Sequence, residues 1–261
     1  MADIVTVIGA PGSGQTVTAL KLAISTYEAL KNVRTVYLSM DYAVPAIGLL
    51  FPNKRSDDIR SMADLMDKTD MSTENILKTM VTCPNMSNFC CLGLRAGENK
   101  ASYPVPDKGK IDKFFKTLAN EVDFIFVDYY PNEELSRYAL INADRIIRVV
   151  SPDIKSINWL VSARMLVNES DQRLLNVINK IDEKALCPIE EVCAKIKSVA
   201  AILPYSSGIK QQMFDGTLWE RLNDKKYKKE MDKLVEKTVD PAGKGSDAKH
   251  EAIEESGFSE F

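Results

Sequence analysis

Three glycines, a serine hydroxyl, an amide and a threonine hydroxyl fall within eight residues, Gly9-Ala10-Pro11-Gly12-Ser13-Gly14-Gln15-Thr16. Glycines let the backbone turn its N–H groups toward one anion, and a helix starting behind them adds its positive dipole end. The pattern follows the phosphate loop GxxxxGK[ST] at both outer glycines and at Thr16, whose hydroxyl is the type that ligates Mg²⁺. Pro11, Gly12, Ser13 and Val17 complete the candidate cradle. At the lysine position stands Gln15, which donates hydrogen bonds but carries no charge, so the charge-assisted contact to phosphate is missing. The plain alternative is a glycine-rich turn between a strand and a helix.

A second pattern is Asn179-Lys180-Ile181-Asp182. NKxD at a strand end is a way of reading guanine; two of its residues are common charged types, so a strand end followed by a surface loop is the alternative reading. With a single histidine, His250, in a polar segment, neither a His-rich metal centre nor a Ser-His pair is expected. The five cysteines, Cys83, Cys90, Cys91, Cys187 and Cys193, show no CxxC spacing, and their odd number points to spectator thiols in a reducing compartment.

Positioning such a loop requires a strand before it and a helix after it, and the sequence supplies both. Ile4 to Ile8 is a β-branched run, and from Thr16 to about Leu30 the apolar residues recur at helical spacing. Further strands are predicted at Thr35–Met40, Phe89–Leu94, Phe124–Val127, Ile146–Val150, Leu174–Ile178 and Val199–Leu203. Helical patterns fall at 61–67, 72–78, 110–119, 154–167, 189–197 and about 218–239, with a loop at 97–109. This alternation predicts an α/β fold: a mostly parallel sheet with helices on both faces, a three-layer sandwich. Trp159 and Trp219 are expected to pack on helical apolar faces, and Glu133 and Glu134 to be solvated residues at a helix start.

The chain of 261 residues has 34 Lys+Arg against 37 Asp+Glu, a formal net charge of −3. Residues 240–261 hold six acids and two lysines, which leaves 1–239 at +1. No broad basic field exists, so nucleic acid is disfavoured as a partner. The reading is one domain over 1–239 and an acidic, disordered tail over 240–261. The first residues carry Asp3 in a short apolar run, unlike a secretory leader or a membrane span, and a cytoplasmic location is expected.

In order along the chain, several segments resemble the MinD/ParA family of P-loop ATPases. YLSMDYAVPAIGLLF resembles the family's second-strand segment, DFIFVDYYPNEE its Walker B and switch II segment, and ALINADRIIRVVSPDIKSI the stretch before its next turn. LLNVINKID resembles the segment with a base-reading Asn, and VAAILPYSSGIKQQMFDG the closing I-P-Y segment. The resemblance spans about Ile4 to Gly216 and implies the following. Asp41 helps position the attacking water, and Asp128 holds Mg²⁺ through water beside Thr16. Gly9, Gly14 and Gln15 lie on the phosphates, with Asn179, Pro204 and Tyr205 near the base. The cofactors are ATP or ADP with Mg²⁺, and the partners a nucleotide-dependent second copy and a protein of a larger assembly, as in the positioning of division, plasmid or pilus machinery in bacteria. The pilus-localisation branch also includes degenerate loops. By the same resemblance the 224–237 tract, with six lysines and four acids, becomes a candidate for the inner membrane surface; docking on the body is the alternative. The chain departs from the family at Gln15, at Ala10, where the signature second lysine belongs, and at Ser39, where an acid is common. Those departures imply weakened hydrolysis, with a non-hydrolysing scaffold or a GTP-binding regulator as alternatives.

Overall fold

The computed structural model describes residues 1–239 except 53, 56–58 and 183–186. The 240–261 segment and His250 lie outside the described residues. The element order is β1 (Asp3–Gly9), α1 (Gln15–Ala29), β2 (Thr35–Ser39), α2 (Ala46–Leu50), α3 (Met62–Asp67), α4 (Thr73–Thr79), β3 (Val81–Thr82), β4 (Phe89–Gly93), α5 (Lys108–Glu121) and β5 (Phe124–Asp128). It continues with α6 (Glu134–Ile141), β6 (Arg145–Val150), α7 (Ile154–Ala163), β7 (Leu174–Ile181), α8 (Ile189–Cys193), β8 (Ala201–Pro204), α9 (Ser207–Asp215) and α10 (Lys225–Val239).

The strands form one eight-stranded sheet in the order β3-β4-β2-β5-β1-β6-β7-β8, with only β3 antiparallel. Period-2 alternation explains why the strands read as unbroken apolar runs. In β5, Phe124 and Phe126 join the core on one face while Ile125 and Val127 join the core on the other. α1, α2 and α10 cover the first face; α3 to α6 cover the second, completing the three layers. α7 and α8 close the β6–β7 end.

The chain leaves the central strand β1 to build one half of the sheet and returns through β6 to build the other. That reversal opens a crevice beyond the carboxyl ends of β1, β5 and β6, where α/β sheets bind ligands.

Several expectations shift. α2, β3, α6 and α9 go beyond the elements predicted from periodicity: α2 and β3 are too short to show a period, and α9 buries no residue. α10 begins at Lys225 rather than 218; Leu218 is fully buried in the preceding segment, and Trp219 there lies outside any helix. The apolar stripe of α10, Tyr227, Met231, Leu234 and Val235, is buried against the body, so the helix docks there. The run Ile146–Val150 hides a charge: Arg148 is fully buried and donates through Nη2 to Glu169 Oε2 (2.8 Å) and through Nε to Asn176 Oδ1 (2.8 Å).

Candidate functional site

The loop after β1 is built as its glycines require. Gly12 and Gly14 hold φ of +85° and +87°, the left-handed region that favours glycine, and Gly14 opens α1. At Gly9 a Cβ would lie 2.7 Å from Ser13 Oγ and 2.8 Å from the Val149 carbonyl, so this position cannot carry a side chain without displacing backbone. Ser13 N–H donates to the Ala10 carbonyl (2.9 Å), closing the turn.

Gln15, first residue of α1, points across the crevice to the end of β5. Its Nε2 donates to Asp128 Oδ1 (2.6 Å) and to the Tyr129 carbonyl (2.7 Å). The other oxygen, Asp128 Oδ2, accepts from Ser39 Oγ (3.1 Å) and Tyr37 Oη (3.2 Å), and the Thr16 hydroxyl is a further donor to the carboxylate. Burial pushes the Asp128 carboxyl above its usual range, against the pull of hydrogen bonds from Gln15, Thr16, Ser39 and Tyr37. Burial and the neighbouring Asp128 likewise push the Tyr37 hydroxyl up. Ser39 is thus a donor in this web. An acid there would set a second negative charge against Asp128.

Of these groups, Gln15, Thr16 and Asp128 open on a cavity of about 960 Å³, with Tyr37 and Ser39 buried behind them. Of the sequence-derived site residues, Gly9, Pro11, Gly12, Gly14, Gln15, Thr16, Val17, Asp41, Asp128, Asn179, Pro204 and Tyr205 all line it. Ser13 is the exception: it is buried beneath the loop and contributes backbone alone. Asp41 lies two residues beyond β2, where its Oδ1 accepts from Ala43 N–H (2.7 Å) and Val44 N–H (3.0 Å), fixing the rim of the cavity. Tyr205 N–H donates to the Ile181 carbonyl (2.7 Å), which ties the Pro204-Tyr205 segment to the end of β7.

At that end Asn179 Nδ2 donates to the Ser13 carbonyl (2.8 Å) and faces Thr18 Oγ1 at 3.5 Å. A Cβ on Gly14 would come within 2.4 Å of this amide, so the loop glycine and Asn179 are fitted to each other. Lys180 Nζ donates to the Gly12 carbonyl. Asp182 is exposed at the strand's end and does not line the cavity.

Sequence reasoning missed three features. Trp159, expected to serve packing, also lines the cavity wall. Tyr42 lines it too and packs edge-on against Tyr130 (5.3 Å between ring centroids). Glu133 is buried, not solvated: it caps α6 by accepting from Leu135 N–H (3.1 Å) and Ser136 N–H (2.6 Å), while Glu134 is exposed as expected. The S/T/D/N preference at helix caps gave no signal for a glutamate in this role.

No family model matches the chain, and no curated protein matches it. Solved structures do. The MinD of Pyrococcus horikoshii complexed with Mg-ADP superposes with a TM-score of 0.71 at 17% identity, covering 93% of this chain and 98% of its own. A ParA-family ATPase from Chlorobium tepidum gives 0.72 at 14% identity, covering 90% and 99%. A variant of the Cyanothece McdA in complex with ATP gives 0.66 at 14% identity, covering 91% and 96%. At these identities the likeness is one of fold. The chain has the P-loop NTPase fold of the MinD/ParA type, with its glycine loop at the fold's central crevice.

Proposed function

We propose that the chain is an ATP-binding switch of the MinD/ParA type, which positions or assembles a cellular machine, with turnover weakened by Gln15. One observation carries this reading: the glycine loop, Thr16, Asp128, Asp41 and Asn179 line one cavity at the switch point of a sheet of that fold. The hydroxyl of Thr16 beside the carboxylate of Asp128 is a hard-oxygen pair suited to Mg²⁺, and these residues would hold it; when bound, it neutralises phosphate charge. Structures of this fold have been solved with Mg-ADP and with ATP.

Adenine is favoured over guanine by the chemistry of Asn179. Its Nδ2 is directed at the Ser13 carbonyl, which can only accept, so the orientation of the amide is fixed. With one N–H on the Ser13 carbonyl and the other facing Thr18 Oγ1, the group Asn179 turns toward a base is its carbonyl oxygen, an acceptor. That matches the exocyclic amine of adenine and opposes the O6 of guanine.

A protein partner belongs to this reading, supported by the MinC:MinD complex of Aquifex aeolicus (TM-score 0.67, 16% identity). So does a second copy of the chain, supported by the exposed apolar side chains Met213 and Phe214 beside the cavity. A cytoplasmic location is part of the proposal. The α10 lysines would be left for an anionic surface, its apolar face being covered.

Calorimetry with ATP, ADP and GTP, each with Mg²⁺ and with chelator, tests the reading. Wild type is expected to prefer adenine nucleotides, and Asp128→Ala to lose the part of the affinity that depends on Mg²⁺. Equal Mg²⁺ dependence in both proteins would refute the role of Asp128. GTP preference abolished by Asp182→Ala would establish the guanine reading instead. Binding without any turnover would leave a non-hydrolysing scaffold.

A further inference from the structure

Loop residues 10 and 15 carry no cation, since alanine and glutamine are both uncharged. A polyphosphate brought to the loop would therefore lack the charge-assisted contact that such sites rely on.

The end of β7 is shaped in an unusual way. Successive residues of a regular strand point to opposite faces. Here Asn179 and Lys180 both reach the glycine loop, one at the Ser13 carbonyl and the other at the Gly12 carbonyl. A register shift against β8 between Ile178 and Ile181 makes this geometry, together with a φ of +60° at Lys180. A non-glycine residue in the left-handed region is strained, and such strain persists where the surroundings over-determine it, often at ligand sites. The strand has been bent so that a lysine side chain turns to the loop.

Resting on the nucleotide reading above, we propose that Lys180 supplies the site's missing cation, holding the phosphates of a nucleoside di- or triphosphate from β7 rather than from the loop. Its ammonium has three N–H donors. One goes to the Gly12 carbonyl, which leaves two for an anion at the loop's mouth. Lys100 and Lys210 also line the cavity, but Lys210 Nζ sits 5.3 Å over the Tyr205 ring, on the base side. Lys180 is the one hydrogen-bonded to the loop.

The test is calorimetry of wild type, Lys180→Met and Lys180→Arg with ATP, ADP and adenosine at two salt concentrations, with thermal melts to verify folding. Losing a charge-assisted contact predicts ATP and ADP binding weaker by roughly ten- to a hundredfold in Lys180→Met, and a shallower salt dependence. Adenosine binding is expected to be unchanged, and Lys180→Arg to recover most of the nucleotide affinity. If Lys180→Met binds ATP as tightly as wild type, or weakens adenosine and ATP equally, Lys180 only clips the loop and the proposal falls while nucleotide binding stands. If wild type binds no nucleotide, the functional reading falls and this assignment with it.

Discussion

Gln15 Nε2 lies 2.6 Å from Asp128 Oδ1, so the glycine loop and the end of β5 are tied by a neutral amide at the position where the GxxxxGK[ST] pattern has a lysine. The same amide reaches the Tyr129 carbonyl, so both its N–H donors have acceptors. Gln15 is therefore built into the site as a brace for a buried carboxylate.

Two substitutions at this position should act in opposite senses. Gln15→Ala leaves the Asp128 oxygen and the Tyr129 carbonyl short of a donor in a buried setting. Unfolding in urea should show a loss of about 1–3 kcal/mol. Gln15→Lys keeps a donor and adds a cation beside Asp128. Nucleotide affinity should rise by about tenfold, with ATPase turnover above that of wild type. Unchanged affinity and turnover in Gln15→Lys would mean that the loop was not disabled at this residue.

Much of this site was legible from residue types alone. Glycines at 9, 12 and 14, a hydroxyl at 16 and aspartates after two apolar runs mark a crevice whatever the details of packing, because strand and loop periods survive in short windows. Cross-chain pairing is not written locally. That Ser39, Tyr37 and Gln15 converge on Asp128 depends on β2 and β5 lying side by side in register, Ser39 opposite Asp128. Lys180 is a sharper case: strand alternation would send it away from Asn179, and only the register shift turns both to one loop. Glu133 was misread because acids at a helix start are usually solvated, whereas this one is enclosed by its own capping turn.

The buried Arg148 makes a prediction about stability rather than binding. Its guanidinium holds the Glu169 carboxyl below the usual carboxylate range, ahead of the opposing effect of burial. Glu169→Ala leaves a buried cation with Asn176 as its remaining side-chain acceptor, a change that should cost about 3–5 kcal/mol. The sign with pH follows from linkage: a carboxyl lowered in the folded state stabilises above its unfolded value, and that contribution is lost as pH falls through the folded one. Wild type should thus lose stability on acidification more steeply than Glu169→Ala. Parallel acid melts of the two proteins would contradict the pairing.

Lys21, on the buried face of α1 behind the glycine loop, gives the opposite pH window. Its Nζ donates to Gln212 Oε1, the Leu218 carbonyl and the Glu220 carbonyl, each at 2.7 Å, and so ties α1 to α9 and to the chain that follows it. Burial lowers its pKa from 10.5 to about 8, against the pull of Glu28 and Glu220. Between those two values the unfolded chain keeps a proton that the folded one has released, so the stability contributed by Lys21 rises with pH across the window. In Lys21→Met that slope is absent, and the three acceptors lose their donor. Urea unfolding of both proteins should therefore show a wild-type advantage that widens by about 3 kcal/mol from the bottom of the window to its top. A constant difference across that window would mean that Lys21 stays protonated in the fold, its three acceptors outweighing burial.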